Sequence, residues 1–208
     1  MSLFVTNCFQ WIGFHIVNYL IEHDFKVDGF DEIETSKQEN LSMLVGRNDL
    51  FSLVTPETVQ KKAYDMLIIN GSHESQSAVQ ADRTIHLCWG LPDKKLPSRT
   101  TIIKLPLLFG EWMPMNEKGM YAQNKFIPFD SADFLDNGVY IEDFINCLAQ
   151  LIQTNHFPSF IEIKSANNKT RAEKELEKAI YPRDVSPIEE NVKKVLEHYD
   201  RFHDLYES

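Results

Sequence analysis

Residues 3–33, LFVTNCFQWIGFHIVNYLIEHDFKVDGFDEI, constrain the fold of this chain more than any other stretch. Leu3, Phe4 and Val5 open an apolar, strand-forming run, and a short polar turn follows. Ile12, Ile16, Val17, Leu20 and Ile21 then recur at helical spacing. A second apolar run from Phe25 to Phe30 ends on an acid, Asp31. Strand, turn, helix and strand in this order make a parallel βαβ unit, because parallel strands need a crossover long enough to carry a helix. A turn that passes straight from strand to helix is also where a phosphate can meet free backbone amides. Such a turn normally uses three glycines. Here only Gly13 stands in one of those positions.

The alternation continues downstream. "MLVG" (43–46) reads as a short third strand, followed by "NDL". "TPETVQKKA" (55–63) reads as a helix with Thr55 as cap, Pro56 at the first helical position and Glu57 in the first turn. "DMLIIN" (65–70), "RTIHLCW" (83–89) and "TTIIKLPLLFG" (100–110) are near-continuous apolar runs, the pattern of strands buried on both faces. The expected fold is α/β, a Rossmann-like doubly wound, mostly parallel sheet. Beyond it, "VYIEDFINCLAQLIQTN" (139–155) starts extended and becomes an amphipathic helix, "SFIEIKSA" (159–166) is a strand, and "TRAEKELEKAI" (170–180) a charged helix. The last helix is expected to start from a Ser186 cap, with Pro187 at the first helical position and Glu189 completing a capping box. The expected organisation is one Rossmann-like domain. Its nucleotide-binding-type core spans residues 1–115, and a reduced helical C-terminal part, 116–208, packs on it.

The order strand, "T-x-x-x-x-W-I-G-F-H-I", helix, strand, "D" resembles the N-terminus of the extended short-chain dehydrogenase/reductases of the NAD-dependent epimerase/dehydratase family, where the turn reads T-G-x-x-G-F-I-G-x-x-L. Thr6, Ile12 and Gly13 match, and Ile16 stands for the leucine. Asn7 and Gln10 occupy the first two glycine positions and Trp11 the phenylalanine position. "NDL" (48–50) is similar to the family's G-D-[ILV], "KLPLLFGEW" (104–112) to R-L-x-N-V-Y-G-P, and "VYIEDF" (139–144) to V-[HY]-V-x-D-[VL]. The resemblance implies that Asp31 faces the adenosine ribose and Asp49 the adenine. On the residues alone, both are equally strand-end acids turned to water.

The departures set the functional expectation. Asn7 tolerates the left-handed bend that the first glycine serves. Gln10 places a side chain where the phosphates would lie, while Gly13 serves helix–strand packing. The family's Tyr and Lys, four residues apart on one helix, have no counterpart in place. "DKKLPSRT" between Pro92 and Thr101 is too short for that helix, and Cys88 and Trp89 stand where the family has serines. Tyr121 and Lys125 have the spacing, but chance alone yields about half of one such pair in this composition, and the simpler reading is a surface helix bearing an exposed pair. They also follow the "LPLLFGEW" segment, which the catalytic pair precedes. The expectation is therefore a non-catalytic relative, a pseudoenzyme without cofactor that binds a protein partner or a nucleotide-type ligand. The alternative is an NAD- or NADP-dependent nucleotide-sugar epimerase, dehydratase or reductase with an atypical site built on Tyr121 and Lys125. Losing the catalytic helix, through which the family dimerises, implies a monomer or a dimer built on another surface.

Charge and cysteine content narrow the classes. A formal charge of −10 repels phosphate backbones, so no nucleic-acid partner is expected. No apolar run approaches the roughly 18 residues of a membrane span, and the N-terminus lacks a signal-peptide pattern, so a cytoplasmic protein without a membrane partner is expected. Cys8, Cys88 and Cys147 are scattered, as reduced thiols are. Cys8, near a helix start, is a candidate redox thiol or a small buried side chain. The seven histidines show no metal-ligand spacing, so no metal is expected; His198 and His203 with Asp200 and Asp204 form a solvated face or a weak metal face. "GSHES" (71–75) after a central strand is a second loop able to offer amides. Trp11, Phe14, Trp89 and Trp112 are expected near the carboxyl ends of strands.

Overall fold

Leu3, Phe4, Val5 and Thr6 are all buried, although successive strand residues point to opposite faces. A strand covered on both faces belongs in the middle of a parallel sheet, and β1 (Ser2–Thr6) lies there. The computed structural model describes residues 1–59, 62–71, 79–90, 99–154, 158–167, 179–183 and 185–206. The chain divides into two compact units, Met1–Lys104 with Pro158–Phe160, and Leu105–Phe157 with Ile161–Ser208.

In the first unit, β1 leads into α1 (Trp11–Glu22) and then β2 (Lys26–Phe30), α2 (Ser36–Val45), β3 (Phe51–Leu53), α3 (Pro56–Val59), β4 (Ala63–Asn70), β5 (Gln80–Cys88) and β6 (Thr100–Lys104). The six strands are parallel, in the order β3-β2-β1-β4-β5-β6. The chain moves outward from β1 to β3, returns to place β4 beside β1, and continues the other way. The sheet is thus doubly wound and α/β, as expected, with its reversal between β1 and β4. Ile12, Phe14, Ile16, Val17, Leu20 and Ile21 form the buried face of α1. A separate cluster gathers Phe4, Tyr64, Leu67 and Ile69 with Val54.

The second unit holds β7 (Leu107–Phe109), the meander β8 (Met115–Asn116), β9 (Gly119–Ala122) and β10 (Lys125–Pro128), α4 (Ala132–Asn137), β11 (Gly138–Tyr140) and α5 (Ile141–Gln153). β12 (Phe160–Ile163) begins at the last residue of the first unit. It is followed by β13 (Ala179–Ile180), α6 (Ile188–Arg201) and α7 (His203–Tyr206). β11 pairs parallel with β7, and β8, β9 and β10 pair antiparallel.

Several local expectations change. Residues 43–46 are not a strand, because Thr35 and Gln38 form a capping box that starts α2: Gln38 N–H donates to Thr35 Oγ1 at 3.2 Å and Thr35 N–H to Gln38 Oε1 at 3.1 Å. The apolar run 100–110 is two strands, broken at Leu105 and Pro106. At the start of α6, Pro187 is itself the cap, with ψ 146, and makes no side-chain cap bond, so the Ser186–Glu189 box does not form. The helix expected over 55–63 gives way to β4 at Ala63, and at Ala179–Ile180 the one expected over 170–180 is β13; residues 60–61, the loop 72–75, residues 93–98 of the short connection and 170–178 lie outside the described residues.

Candidate functional site

In an open doubly wound sheet, ligands bind outside the carboxyl ends of the strands where the strand order reverses. Here that point is the gap between the ends of β1 and β4, flanked by Thr6, Asn7, Asn70 and Gly71. Asn7 takes the left-handed bend itself, at φ 49, a region that asparagine visits more readily than most residues. Gln10 has φ −69 and ψ 149, ordinary extended backbone that requires no glycine. Its exposed side chain makes no cap bond to α1. Gly13 is the glycine the turn cannot replace. A Cβ there would lie 2.1 Å from Asn7 O and 3.0 Å from Cys8 Cα, both backbone atoms. The turn thus keeps its course with one glycine where three are usual.

Asp31 braces this turn. Its Oδ2 accepts Phe9 N–H at 2.6 Å and its Oδ1 accepts Glu32 N–H at 2.9 Å. Burial pushes its carboxyl above the ordinary carboxylate range, against the pull of the Phe9, Glu32 and Gln10 amides. Trp11 and Ile12 open α1, whose first turn carries no acid and no side-chain cap. Asp49 is exposed, in the turn between α2 and β3. Cys8 is fully buried beside this turn. Burial first, then the Asp31 charge, push its thiol far up, so the helix-start position does not produce a reactive thiolate.

Tyr121 and Lys125 lie on β9 and β10, facing strands of a hairpin whose turn places Gln123 and Asn124 at φ 50 and φ 63. They do not share a helix, contrary to the surface-helix expectation. The Tyr121 hydroxyl accepts Asn116 Nδ2 at 3.2 Å. Among the described residues no group of His, Cys, Asp or Glu could hold a metal ion.

In the second unit, Trp112 holds a left-handed φ of 65 and stacks on Tyr206, with ring centroids 5.6 Å apart. A cavity of about 420 Å³ opens beside Phe109, Tyr140, Asp143, Asn167, Ser186 and Asn191. Its buried Asp143 accepts Val185 N–H at 3.3 Å, and the Tyr140 hydroxyl donates to Glu111 at 2.7 Å. Asn70, which the structure brings against Asn7, is not among the residues that the sequence singles out. Its signal was a carboxamide closing an otherwise apolar strand, "DMLIIN".

No family model matches the chain, and no curated protein matches it in sequence. Solved structures do match. The dTDP-glucose 4,6-dehydratase of Bacillus anthracis, in complex with NAD, superposes with a TM-score of 0.66 at 9% identity, over 100% of this chain and 99% of that one. A point mutant of the UDP-glucuronic acid 4-epimerase of Bacillus cereus, with NAD and a fluorinated UDP-sugar, gives 0.63 at 10% identity, over 97% and 99%. The UDP-glucose 4-epimerase of Thermotoga maritima, with UDP-glucose, gives 0.58 at 13% identity, over 97% and 99%. The chain is similar to these NAD-dependent epimerases and dehydratases in fold along nearly its whole length. The expectation that no cofactor is involved is corrected by this finding: neighbours of the same fold were solved with NAD. Gln10 itself leaves the backbone of the turn on an ordinary course and keeps its side chain exposed. No described helix is long and apolar enough to cross a membrane.

Proposed function

We propose that this chain binds NAD or NADP across the β1–β4 reversal and takes a nucleotide sugar, in the manner of the epimerases and dehydratases whose fold it shares. The observation that carries this reading is the intact course of the turn. Asn7 supplies the left-handed bend, Gly13 admits Asn7 O against α1, and Asp31 holds the turn from β2. A turn kept in this form leaves the first amides of α1 open for a pyrophosphate. Calorimetric titration with NAD, NADH and NADPH tests it. Submillimolar binding of at least one, weakened at least tenfold by Asp31→Ala, is expected; no heat from any of the three rejects the reading.

A second reading, binding without turnover, is favoured by one observation. Among the described residues, no Tyr and Lys four positions apart share a helix, and β5 ends on Cys88. Tyr121 lies on an exposed hairpin, so Tyr121→Phe should leave any activity unchanged. Turnover of UDP-glucose or UDP-glucuronic acid with NAD, followed by product chromatography, would reject this second reading. Its loss in Tyr121→Phe would instead assign the base.

A further inference from the structure

The ends of β1 and β4 are laced together where the strand order reverses. Asn70 N–H donates to the buried Thr6 Oγ1 at 3.0 Å, as one rung. Asn7 Nδ2 donates to Asn70 O at 2.5 Å, and Asn70 Nδ2 returns a longer bond to Asn7 O at 3.4 Å. Asn70 is itself buried, at 7% exposure. The next residue is fixed in turn, for Gly71 N–H donates to Leu87 O at 3.2 Å, and His86 Nε2 lies 2.8 Å from Gly71 O. A glycine in place of Asn7 would allow the same bend but none of the carboxamide bond.

We propose that Asn7 is a positioning residue for the dinucleotide, its carboxamide fixing the spacing between the two halves of the site; this rests on the NAD-binding reading above. The physical reason is topological. In a doubly wound sheet each half binds one mononucleotide, and only a dinucleotide must span the reversal. A clamp from Asn7 to Asn70 sets the separation that the pyrophosphate bridges. ADP alone would meet the turn but reach no further than the β1–β2–β3 side with Asp31, so its binding does not depend on the separation the clamp sets across to β4. The clamp thus gives Asn7 a part that the first glycine of such a turn cannot play.

The discriminating experiment compares NAD and ADP as probes on wild type, Asn7→Gly and Asn7→Asp, by calorimetry, with thermal denaturation as the folding control. Asn7→Gly keeps the left-handed bend and removes the donor. Asn7→Asp keeps the size and turns the donor into a second acceptor against Asn70 O. The expected result is a dissociation constant for NAD raised about fivefold in Asn7→Gly, the effect of one neutral hydrogen bond, and further in Asn7→Asp. ADP should move less than twofold in Asn7→Gly. Unchanged NAD affinity in Asn7→Gly overturns the proposal while leaving the binding reading intact. Equal weakening of NAD and ADP overturns it too, since the turn would then merely be misfolded. A wild type that binds ADP but not NAD, or neither, brings down the underlying reading itself and the proposal with it.

Discussion

Asp31 Oδ2 accepts the Phe9 N–H at 2.6 Å, so the acid that ends β2 holds the turn that follows β1. The same carboxylate sits partly buried, with Glu32 N–H on its other oxygen. A side chain expected to face a ribose therefore has a structural duty first. Under the NAD-binding proposal a ribose hydroxyl would share these oxygens, since each carboxylate oxygen accepts more than one hydrogen bond.

Asp31→Ala should lower stability by about 1–3 kcal/mol at neutral pH, the cost of leaving amides of the turn without their charged acceptor. Its pH dependence has a definite sign. Burial raises the folded-state pKa above the ordinary 3.8, so the folded form holds its proton where the unfolded chain has released it. The titration contributes stability below the unfolded value, and that contribution fades as pH rises through the folded value. The wild-type advantage over Asp31→Ala, measured by urea unfolding, should accordingly be larger at about pH 3 than at about pH 7. An advantage that grows with pH would refute the assignment.

Gly13→Ala should be more damaging than the alanine's size suggests. The new Cβ meets Asn7 O at 2.1 Å, and neither that atom nor Cys8 Cα belongs to a flexible side chain that could turn away. Overpacking against backbone costs about 1–3 kcal/mol, which lowers Tm by roughly 2–4 °C per kcal/mol for a chain of this size. NAD affinity should fall with it, because relief requires α1 or the turn to move. Gln10→Gly is the contrasting control. At φ −69 the position needs no glycine, so this change should leave the turn and the affinity for NAD in place.

The contrast between these two positions explains how far the sequence could be read. Burial on both faces writes β1 and the second half of β4 as unbroken apolar runs, and helical spacing writes α1. Those signals are local; the reversal between β1 and β4 emerges only from the strand order. The consequence of losing a glycine is not local in the same way. It depends on φ, and φ 49 at Asn7 against −69 at Gln10 is invisible in the residue names. The partners of Asn7 and Asp31 lie 63 and 22 residues away, beyond any motif. Residues 43–46 misled because three apolar side chains end an otherwise polar helix, where Met43 and Leu44 are exposed. Tyr121 and Lys125 misled because spacing of four describes both a helical turn and the two ends of a tight hairpin.

The three thiols should be slow to alkylate in the native state. Burial pushes up Cys8, Cys88 and Cys147, the last to about 11, so little thiolate is present near neutral pH. Cys8 adds complete burial. Iodoacetamide at about pH 8 should therefore label Cys88 first, the one cysteine that is only half-buried, and reach Cys8 only when the chain unfolds. Rapid native labelling of Cys8, seen by peptide mass mapping, would revive a redox role for it.

Tyr206→Phe probes a bond within the second unit that stacking alone cannot replace. Trp112 N–H donates to the Tyr206 hydroxyl at 2.6 Å, and His198 Nδ1 lies 2.8 Å from the same oxygen. Trp112 needs such an anchor. A bulky residue at φ 65 sits in a region that costs about 1–2 kcal/mol for an L-residue. Phenylalanine keeps the stack on the indole, whose planes are inclined by only 16°, and removes the acceptor. A partly buried backbone N–H is then left unpaired, so stability should fall by about 1–3 kcal/mol. Tyr206→Ala, which also loses the ring contact, should cost more. Equal losses in the two variants, read by urea unfolding, would mean that the ring contact adds nothing and that the hydroxyl alone holds Trp112 in its left-handed conformation. An unchanged stability in Tyr206→Phe would mean the reverse, that the stack suffices and the bond from the Trp112 backbone N–H contributes nothing.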